Sequence, residues 1–563
     1  MRYPTLKVFI ALLLLATAAG LAVGFAACTA EPRTALVLDV FDLVDRYYIE
    51  KVDRRELTAN AFVGLLDRLK AEARFQVQSA EVKKILQARE RGEDAPLPTP
   101  EEAEATPIPT PYDKVVIKAD PTFIDVRIHG QTFRRALEYD KRELCKTLLD
   151  GIEFFRQTLG LKQKPDELLQ MTLDAMVDKL DPHSGFLNLA DYNNLMEDTQ
   201  GSFGGVGIEI GMRNGFLTVI APIEGGPAAR KGIQSKDRIV AIDHVDTLGQ
   251  TLNWAVQRLR GTIGTKVLVT IKRAGKDKPL DFEITRERIE ASAIKTKRLP
   301  GDIGYIQIIQ FNARTSAEID KALADFRADS GGLRALIVDV RNNPGGLLDQ
   351  VVDVADKFLP GGLIVDTIGR GLLQDRERFA TGRGLYTKVP MVVLVNSGSA
   401  SASEILAGAL KDQHRALIVG SQTFGKGSVQ SIFELRNDTG LRLTTALYYT
   451  PSHTSIQAFG ITPNIRFNLP EKEEEGFDMR ESTLAGHRQN PETSVPPKPE
   501  VEADIEPIIK FYLARKWIAP LTGEPGDDTD FLLAFAKRLL NTNDLSISAL
   551  IERGRQMLAE VRH

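Results

Sequence analysis

Two short segments in the last third of the chain carry side chains that could catalyse a hydrolysis. One is NSGSASASE, residues 396–404, and the other is FGKGSVQ, residues 424–430. A serine, an amine that takes its proton and a polar group that orients the amine are the parts a serine hydrolase needs when it has no catalytic histidine. The segments therefore predict Lys426 as the base and one serine of the first segment as the nucleophile. The candidates are Ser397, Ser399, Ser401 and Ser403.

Ser401 also fits a purely structural role. Ser401 and Glu404 have the spacing of a capping box, in which the serine only caps the following helix. A nucleophile at a helix N-terminus is favoured as well, because the adjacent amide can bind the oxyanion. The two interpretations are compatible.

Lys426 stands between two glycines, where a lysine is ordinarily solvated. A lysine base must be neutral near pH 7, so its pKa must fall by roughly three units from about 10.4. Burial can cause such a shift. If a strand begins at Gly427, positions 426, 428 and 430 share one face, so Gln430 could orient Lys426 without adding charge.

A third glycine turn, RNNPGG at residues 341–346, follows an apolar strand and precedes a helical stretch. Amides at such a turn, together with the helix start, suit an oxyanion hole. The alternative is an ordinary strand-to-helix loop that needs glycine for positive φ. A Ser-His arrangement would instead use His414 or His453, which follow in polar surroundings.

The periodicity along the chain predicts a multidomain α/β protein with a β-α layered core. Short strands and glycine turns make residues 201–290 a small β-rich module, and residues 291–470 alternate strands with helices. A mainly helical region at 35–200 contains a proline-rich linker at 95–111 and a β-like piece at 115–129. An acidic linker at 471–504 leads to a helical region at 505–563.

The first 34 residues predict a signal peptide or membrane anchor. Arg2 and Lys7 precede an apolar run of 20 residues, Val8 to Ala27. Cys28 follows two alanines as at a bacterial lipoprotein cleavage site, and the second cysteine, Cys145, is then without an intramolecular partner. The protein is therefore expected outside the cytoplasm, in the bacterial periplasm or cell envelope. If the N-terminal segment is not cleaved off, it would anchor the protein in the inner membrane, or Cys28 would carry a lipid.

Composition excludes two classes of function. The net charge of −4 gives no electrostatic case for nucleic-acid binding. The two cysteines lack zinc-type spacing and the seven histidines are scattered, so no metal and no cofactor is predicted.

The three glycine- and serine-marked segments resemble the signature segments of the carboxyl-terminal processing (tail-specific) proteases. The resemblance spans residues 165–470 and includes the 25-residue spacing from Ser401 to Lys426. It implies Ser401 as nucleophile, Lys426 as general base and Gln430 as its orienting residue. It also implies an oxyanion hole of backbone amides at Gly345, Gly346 and Ala402.

The β-rich module resembles the PDZ domain of the same family. Its GVGI segment stands where the carboxylate-binding loop belongs. The resemblance implies that this loop receives the C-terminal carboxylate of a substrate while the tail adds as a β-strand. The loop residues are Gly205, Val206, Gly207 and Ile208.

The sequence thus predicts an extracytoplasmic serine endopeptidase that recognises free C-terminal tails and cleaves near them through an acyl-enzyme. The alternative is a tail-binding scaffold with an inactive protease domain. About 90 residues are inserted before the DPHS turn at 181–184, where the family's N-terminal helices usually lead straight into that turn. Homo-oligomer formation and control by an activator or adaptor protein stay open.

Overall fold

The computed structural model describes residues 31–91, 108–213, 215–276, 278–328, 332–370, 376–468, 480–491, 498–519 and 529–561. Residues 1–30 of the predicted N-terminal segment, with Cys28, most of the linker at 95–111 and parts of the linker at 471–504 lie outside these residues. Residues 32–34 of the predicted segment belong instead to the first helix. Among the helices within them, none is both long enough and apolar enough to cross a membrane.

The N-terminal region packs four helices around one apolar core, and a small sheet completes it. The three strands of that sheet are antiparallel, in the order β1-β2-β3, which confirms the β-like piece expected near residue 115. Asp140 caps the third helix by accepting two backbone N–H groups, and Gly160 at φ 61° ends it. The elements are α1 Pro32–Tyr47, α2 Arg54–Glu90, β1 Val116–Asp120, β2 Phe123–Ile128, β3 Gln131–Ala136, α3 Lys141–Leu159 and α4 Pro165–Val177.

The next region forms the small β-rich module expected from the sequence. Its sheet has the order β11-β10-β8-β7-β6, with β9 paired to β8, so that β6 is an edge strand. Two strands outside that sheet, β5 and β12, pair antiparallel where the chain enters and leaves the domain. The elements are α5 Leu189–Gln200, β5 Ser202–Gly205, β6 Ile208–Arg213, β7 Phe216–Pro222, α6 Pro227–Lys231, β8 Arg238–Ile242, β9 Val245–Asp246, α7 Leu252–Leu259, β10 Lys266–Lys272, β11 Leu280–Thr285 and β12 Glu287–Glu290.

Within the described residues, the β-α layered core is built on a seven-stranded sheet in the order β13-β14-β15-β18-β19-β22-β23. Only β13 runs antiparallel to its neighbour. The central strands β15, β18 and β19 are buried along their whole length because both faces of the sheet are covered there. The strands are β13 Ile294–Leu299, β14 Ile303–Ile308, β15 Ala335–Asp339, β18 Met391–Val395, β19 Leu417–Gly420, β22 Ile465–Asn468 and β23 Val501–Asp504.

Helices cover the two faces of this sheet from different parts of the chain. One apolar layer contains α8 Thr315–Ala328, α9 Leu348–Asp356 and α10 Ala402–Asp412. The other contains the C-terminal helices α11 Ile505–Ala514, α12 Phe531–Leu539 and α13 Ile547–Ala559. The helical C-terminal tail expected from the sequence is therefore part of the core.

A second sheet joins the core to the N-terminal region. Its order is β17-β16-β21-β20, with β4 paired to β21. Strand β4 comes from the DPHS turn, so this turn lies against the core. The strands are β4 Gly185–Leu187, β16 Leu363–Gly369, β17 Arg376–Phe379, β20 Ser428–Glu434 and β21 Gly440–Tyr449.

The acidic linker predicted at 471–504 differs from the described structure. Strand β23 lies inside it and forms the edge of the core sheet, paired in parallel with β22. Residues 480–491 also contact the core, and the Glu481 side chain is wholly buried. Acids and prolines predict solvated chain, but here Val501 is buried and Glu481 has buried hydrogen-bond partners that local composition does not reveal.

Candidate active site

Ser401 lies in the turn between β18 and α10, with an unusual backbone conformation. Its φ is 54° and its ψ −114°, and such a left-handed non-glycine residue costs about 1–3 kcal/mol. A Cβ on Gly345 would come within 2.8 Å of the Ser401 Cβ, so only glycine fits there. The two turns at 341–346 and 396–404 are therefore in contact, as the chemistry requires.

The neighbouring serines hold these turns together. The Ser399 hydroxyl donates to the Val340 carbonyl at 2.8 Å, and the Ser403 hydroxyl donates to the Asn343 carbonyl at 3.0 Å. Both side chains are completely buried. Ser399 and Ser403 thus have structural partners. Of the two remaining candidates, Ser397 and Ser401, Ser401 lies at the start of α10 against Gly345 of the oxyanion turn, which makes it the candidate nucleophile.

Glu404 links the serine turn to the lysine turn, a role that the sequence did not predict. Its Oε2 accepts the backbone N–H of Ser401 at 2.8 Å and that of Lys426 at 2.9 Å. Its Oε1 accepts from the Thr423 hydroxyl at 2.6 Å and from the Gly425 N–H at 2.7 Å. One buried carboxylate therefore fixes the two turns relative to each other. The capping-box spacing located Glu404 at the third position of α10 but gave no sign of the second turn.

The protonation states of this site follow from burial. Desolvation raises the pKa of Glu404 to about 7, although the four donated hydrogen bonds favour the carboxylate. Desolvation lowers the pKa of Lys426 to about 8; Arg442 adds to the fall, while Glu481, Asp181 and Glu404 oppose it. A lysine with such a pKa has an appreciable neutral fraction at neutral pH.

Tyr448 is a second residue that the sequence did not single out. Burial raises the pKa of its hydroxyl to about 12, and the nearby Ser401 side chain opposes that rise. Its backbone N–H donates to the Gly427 carbonyl at 2.7 Å, so strand β21 also holds the lysine turn. Within the described residues, no direct side-chain hydrogen bond joins Ser401 to Lys426. Catalytic hydrogen bonds are often long or poorly aligned before a substrate binds.

Gln430 lies in β20, two residues after the strand begins. Its amide nitrogen donates to the Ser428 hydroxyl at 2.9 Å and to the Thr444 hydroxyl at 3.3 Å. Thr444 in turn donates to the buried carboxylate of Asp181 at 3.0 Å. Gln430 is therefore anchored in a polar network behind the lysine, and its contact with Lys426 stays a prediction.

The oxyanion-hole residues fall into two groups. The Gly345 N–H donates to the Asn343 side chain at 2.9 Å, so this amide is engaged inside its own turn. The Asn343 side chain therefore competes for the Gly345 amide, and the role of Gly345 as a donor to the oxyanion stays a prediction. Among the described hydrogen bonds, none uses the N–H of Gly346 or Ala402, and these two amides keep their predicted role.

The turn at 341–346 is held from behind by an ion-pair cluster. Arg341 contacts Asp339 at 2.6 Å and Asp530 of the C-terminal region at 2.6 Å. Asp339 is fully buried and accepts a further hydrogen bond from the Tyr305 hydroxyl at 2.8 Å. Asp530, which caps α12, therefore contacts the first residue of the oxyanion turn.

The Ser-His alternative has little geometric support. His414 and His453 are both exposed, at the end of α10 and in a turn after β21. A general base must be within hydrogen-bond reach of the nucleophile, which is buried.

The predicted carboxylate-binding loop of the β-rich module, residues 205–208, is called the PDZ loop below. It is held in place mainly by backbone hydrogen bonds. The Val206 carbonyl accepts from Ala228 N–H at 2.9 Å, and the Gly207 carbonyl accepts from Ile223 N–H at 2.9 Å. Gly207 has a φ of 72°, which favours glycine. The loop leads into the edge strand β6, beginning at Ile208. An unpaired strand edge can receive a peptide as an added strand.

The comparisons with known proteins agree with these two regions. The sequence profile of peptidase family S41 matches residues 302–467, and the PDZ domain profile matches residues 204–284. The chain is 46% identical over 332 residues to a carboxy-terminal-processing protease of Bartonella bacilliformis, covering 57% of this chain and 76% of that protein. It is 42% identical over 299 residues to a carboxyl-terminal-processing protease of Synechocystis sp., covering 52% and 69%.

Among solved structures, a photosystem II D1 C-terminal processing protease matches at 29% identity. The match covers 56% of this chain and 91% of that one, with a TM-score of 0.34. From the sequence relationships, the chain belongs to the carboxyl-terminal-processing proteases of peptidase family S41 and is a serine-type peptidase with a PDZ domain.

Proposed function

We propose that this peptidase cleaves proteins near their C-termini with Ser401 as nucleophile and Lys426 as general base. The observation that carries the proposal is the single Glu404 oxygen that accepts the backbone N–H groups of both residues. A base can act only if the fold brings it to the nucleophile, and this carboxylate connects the two turns directly. The depressed pKa of Lys426 supports the same assignment.

The reaction proceeds through an acyl-enzyme. Neutral Lys426 takes the proton of Ser401 while the serine oxygen bonds to the substrate carbonyl carbon, and the carbonyl π electrons move to its oxygen. The amides of Gly346 and Ala402 donate to that oxyanion. The lysine ammonium then protonates the leaving amine as the C–N bond breaks. The same lysine then deprotonates a water molecule, whose oxygen attacks the ester carbonyl carbon. As the bond from that carbon to the Ser401 oxygen breaks, the lysine ammonium returns a proton to Ser401.

The PDZ domain selects the substrate. The loop Gly205–Ile208 binds the terminal carboxylate through backbone amides, and the tail extends β6 as an added strand. Proteins or peptides with free C-terminal tails are therefore the substrates. We assign this activity to the extracytoplasmic side of the membrane, because the first 34 residues have the pattern of an export signal or anchor.

Hydrolysis of a tail peptide tests the dyad. Ser401→Ala and Lys426→Ala should each lower kcat/KM by at least about 10³-fold, because a nucleophile or base is lost. His414→Ala is the matched control and should keep wild-type activity, since that histidine is exposed. Activity that survives Lys426→Ala would exclude the lysine base. Activity that survives Ser401→Ala would exclude this nucleophile, and absence of hydrolysis by the wild type together with tail binding would favour the scaffold alternative.

A further inference from the structure

Glu481 is a buried carboxylate beside the lysine turn that the mechanism above does not use. It comes from residues 480–491, beyond the end of the matched protease segment at residue 467. Its side chain is 0% exposed. Carboxylates are almost never fully buried without specific partners, so its contacts indicate its role.

Those contacts surround the lysine turn. The Glu481 N–H donates to the Phe424 carbonyl at 3.0 Å, before Lys426. Its Oε1 accepts from the Gln457 side-chain nitrogen at 2.8 Å, and the Gln457 oxygen accepts the Gly427 N–H at 3.0 Å. The turn is therefore fixed on both sides of the lysine, directly at one side and through Gln457 at the other.

The second oxygen of Glu481 contacts His183, and His183 in turn accepts a hydrogen bond from the positively charged Arg442. Its Oε2 lies 2.7 Å from the His183 Nε2. The backbone carbonyl of His183 accepts from the Arg442 Nε at 2.8 Å. Arg442 lies on β21 opposite Gly185 of β4. The acid and the arginine are thus attached to the same residue of the DPHS turn.

Lys426 faces charges of both signs. Glu481 from the segment after the core, Asp181 from the DPHS turn and Glu404 from α10 stabilise its ammonium form. Arg442 from β21 and burial favour the neutral amine. A general base needs both: it must be neutral at rest, and its protonated form must be stable enough to accept the serine proton.

We propose that Glu481 and Arg442 are positioning residues of the catalytic lysine, with opposing effects. Glu481 holds the lysine turn through Phe424 and Gln457. Arg442 is bound to His183, the same residue that contacts Glu481, so the two opposite charges are held beside one turn. This inference rests on the proposed role of Lys426 as general base. It makes residues 480–491 a functional part of the active site.

The test is the pH dependence of kcat/KM for a tail peptide, with the acid limb reporting the deprotonation of the lysine. Glu481→Gln removes a negative charge, so the acid limb should move to lower pH by roughly 1 unit. Arg442→Gln removes a positive charge and should move the limb to higher pH by a similar amount. A purely structural role would lower the plateau and leave the midpoint unchanged.

A second ion pair provides matched controls. Arg466 of β22 and Glu502 of β23 pair with each other near the edge of the core sheet. Glu502→Gln and Arg466→Gln should leave the midpoint at the wild-type pH. The inference is overturned if either folded test variant keeps the wild-type midpoint or shifts in the opposite direction. If one test variant does not fold, the other decides alone.

The lysine variant separates this inference from the proposed function. Loss of activity in Lys426→Ala, with unshifted midpoints in Glu481→Gln and Arg442→Gln, would leave the dyad in place and reject the positioning role. Activity that survives in Lys426→Ala would reject the dyad, and the positioning role with it, whatever the midpoints.

Discussion

The protease site and the PDZ loop differ in how the fold assembles them: the first joins separate segments of the chain, and the second is one contiguous segment. At the protease site, Ser401, Lys426 and the oxyanion turn come from distant parts of the chain, and buried carboxylates such as Glu404 join them. The PDZ loop is a contiguous segment whose carbonyls are held by nearby amides of residues 223 and 228. The protease site should therefore be fragile to the loss of one buried acceptor, and the loop sensitive mainly to local backbone shape.

Among the residues that hold the two regions in shape, the largest effect is expected at Glu404. Glu404→Gln keeps the size of the side chain but places an NH₂ group where backbone donors require an acceptor. We expect kcat to fall by about 100-fold or more, with a stability loss of about 2–3 kcal/mol, because buried donors are left unpaired. Steady-state kinetics and denaturant unfolding measure the two effects.

The control for Glu404 is Glu502→Gln, which changes a half-exposed carboxylate of the same core. Wild-type kcat in Glu404→Gln would contradict the view that one carboxylate fixes the dyad.

An intermediate effect is expected from the substrate side of the PDZ loop. A peptide with an amidated C-terminus loses the charge-assisted hydrogen bonds to the loop, worth about 1.5–3 kcal/mol. Its kcat/KM should be about tenfold or more below that of the free acid. Equal rates for the two peptides would remove the proposed role of residues 205–208.

A smaller effect is expected from the shape of the loop itself. A Cβ on Gly207 would lie 3.2 Å from Ile289 and 3.3 Å from Pro227, and its φ of 72° disfavours other residues. Gly207→Ala should raise KM about three- to tenfold for the free-acid peptide and leave kcat nearly unchanged. Gly232→Ala is the control, because that glycine also has positive φ but open space around its Cβ position. A change in kcat rather than KM would indicate that the loop acts on the chemistry.

The smallest effect is expected where the C-terminal region meets the oxyanion turn. Asp530→Asn weakens a partly exposed ion pair with Arg341, which keeps Asp339 as its other partner. We expect a loss of about 1 kcal/mol in stability and a two- to threefold fall in kcat. Thermal unfolding and kinetics check this, and a loss as large as that of Glu404→Gln would show that the tail is essential to the site.

The same contrast explains what could be predicted from the sequence. The PDZ loop and the turn around Ser401 are contiguous, so a short motif located them. Strand and helix patterns also predicted the layered core, because both are local periodicities. Glu404 was recognised as a helix-cap residue only, since its contact with Lys426 spans 22 residues. Tyr448 and Asp181 contribute through tertiary packing, which no local pattern reports.

The prediction made from composition was wrong where contacts with distant residues determine which side chains are buried. Residues 471–504 are acidic and contain prolines, which predicted a solvated linker. Yet Glu481 is buried because His183 and Gln457, from two other segments, provide its hydrogen bonds. Gly345 shows the same limit: its amide donates to Asn343, two residues away, and a motif gives its position but not its hydrogen bond.

The proposed roles of Ser401 and Lys426 are tested most directly by the rate at which a serine-directed fluorophosphonate phosphonylates the Ser401 hydroxyl with loss of fluoride, followed across pH by peptide mass mapping. We expect the label on Ser401, a labelling rate that rises with a midpoint near the Lys426 pKa of about 8, and a labelling rate about 10³-fold lower in Lys426→Ala. A label on another serine, or an unchanged rate in folded Lys426→Ala, would contradict these roles.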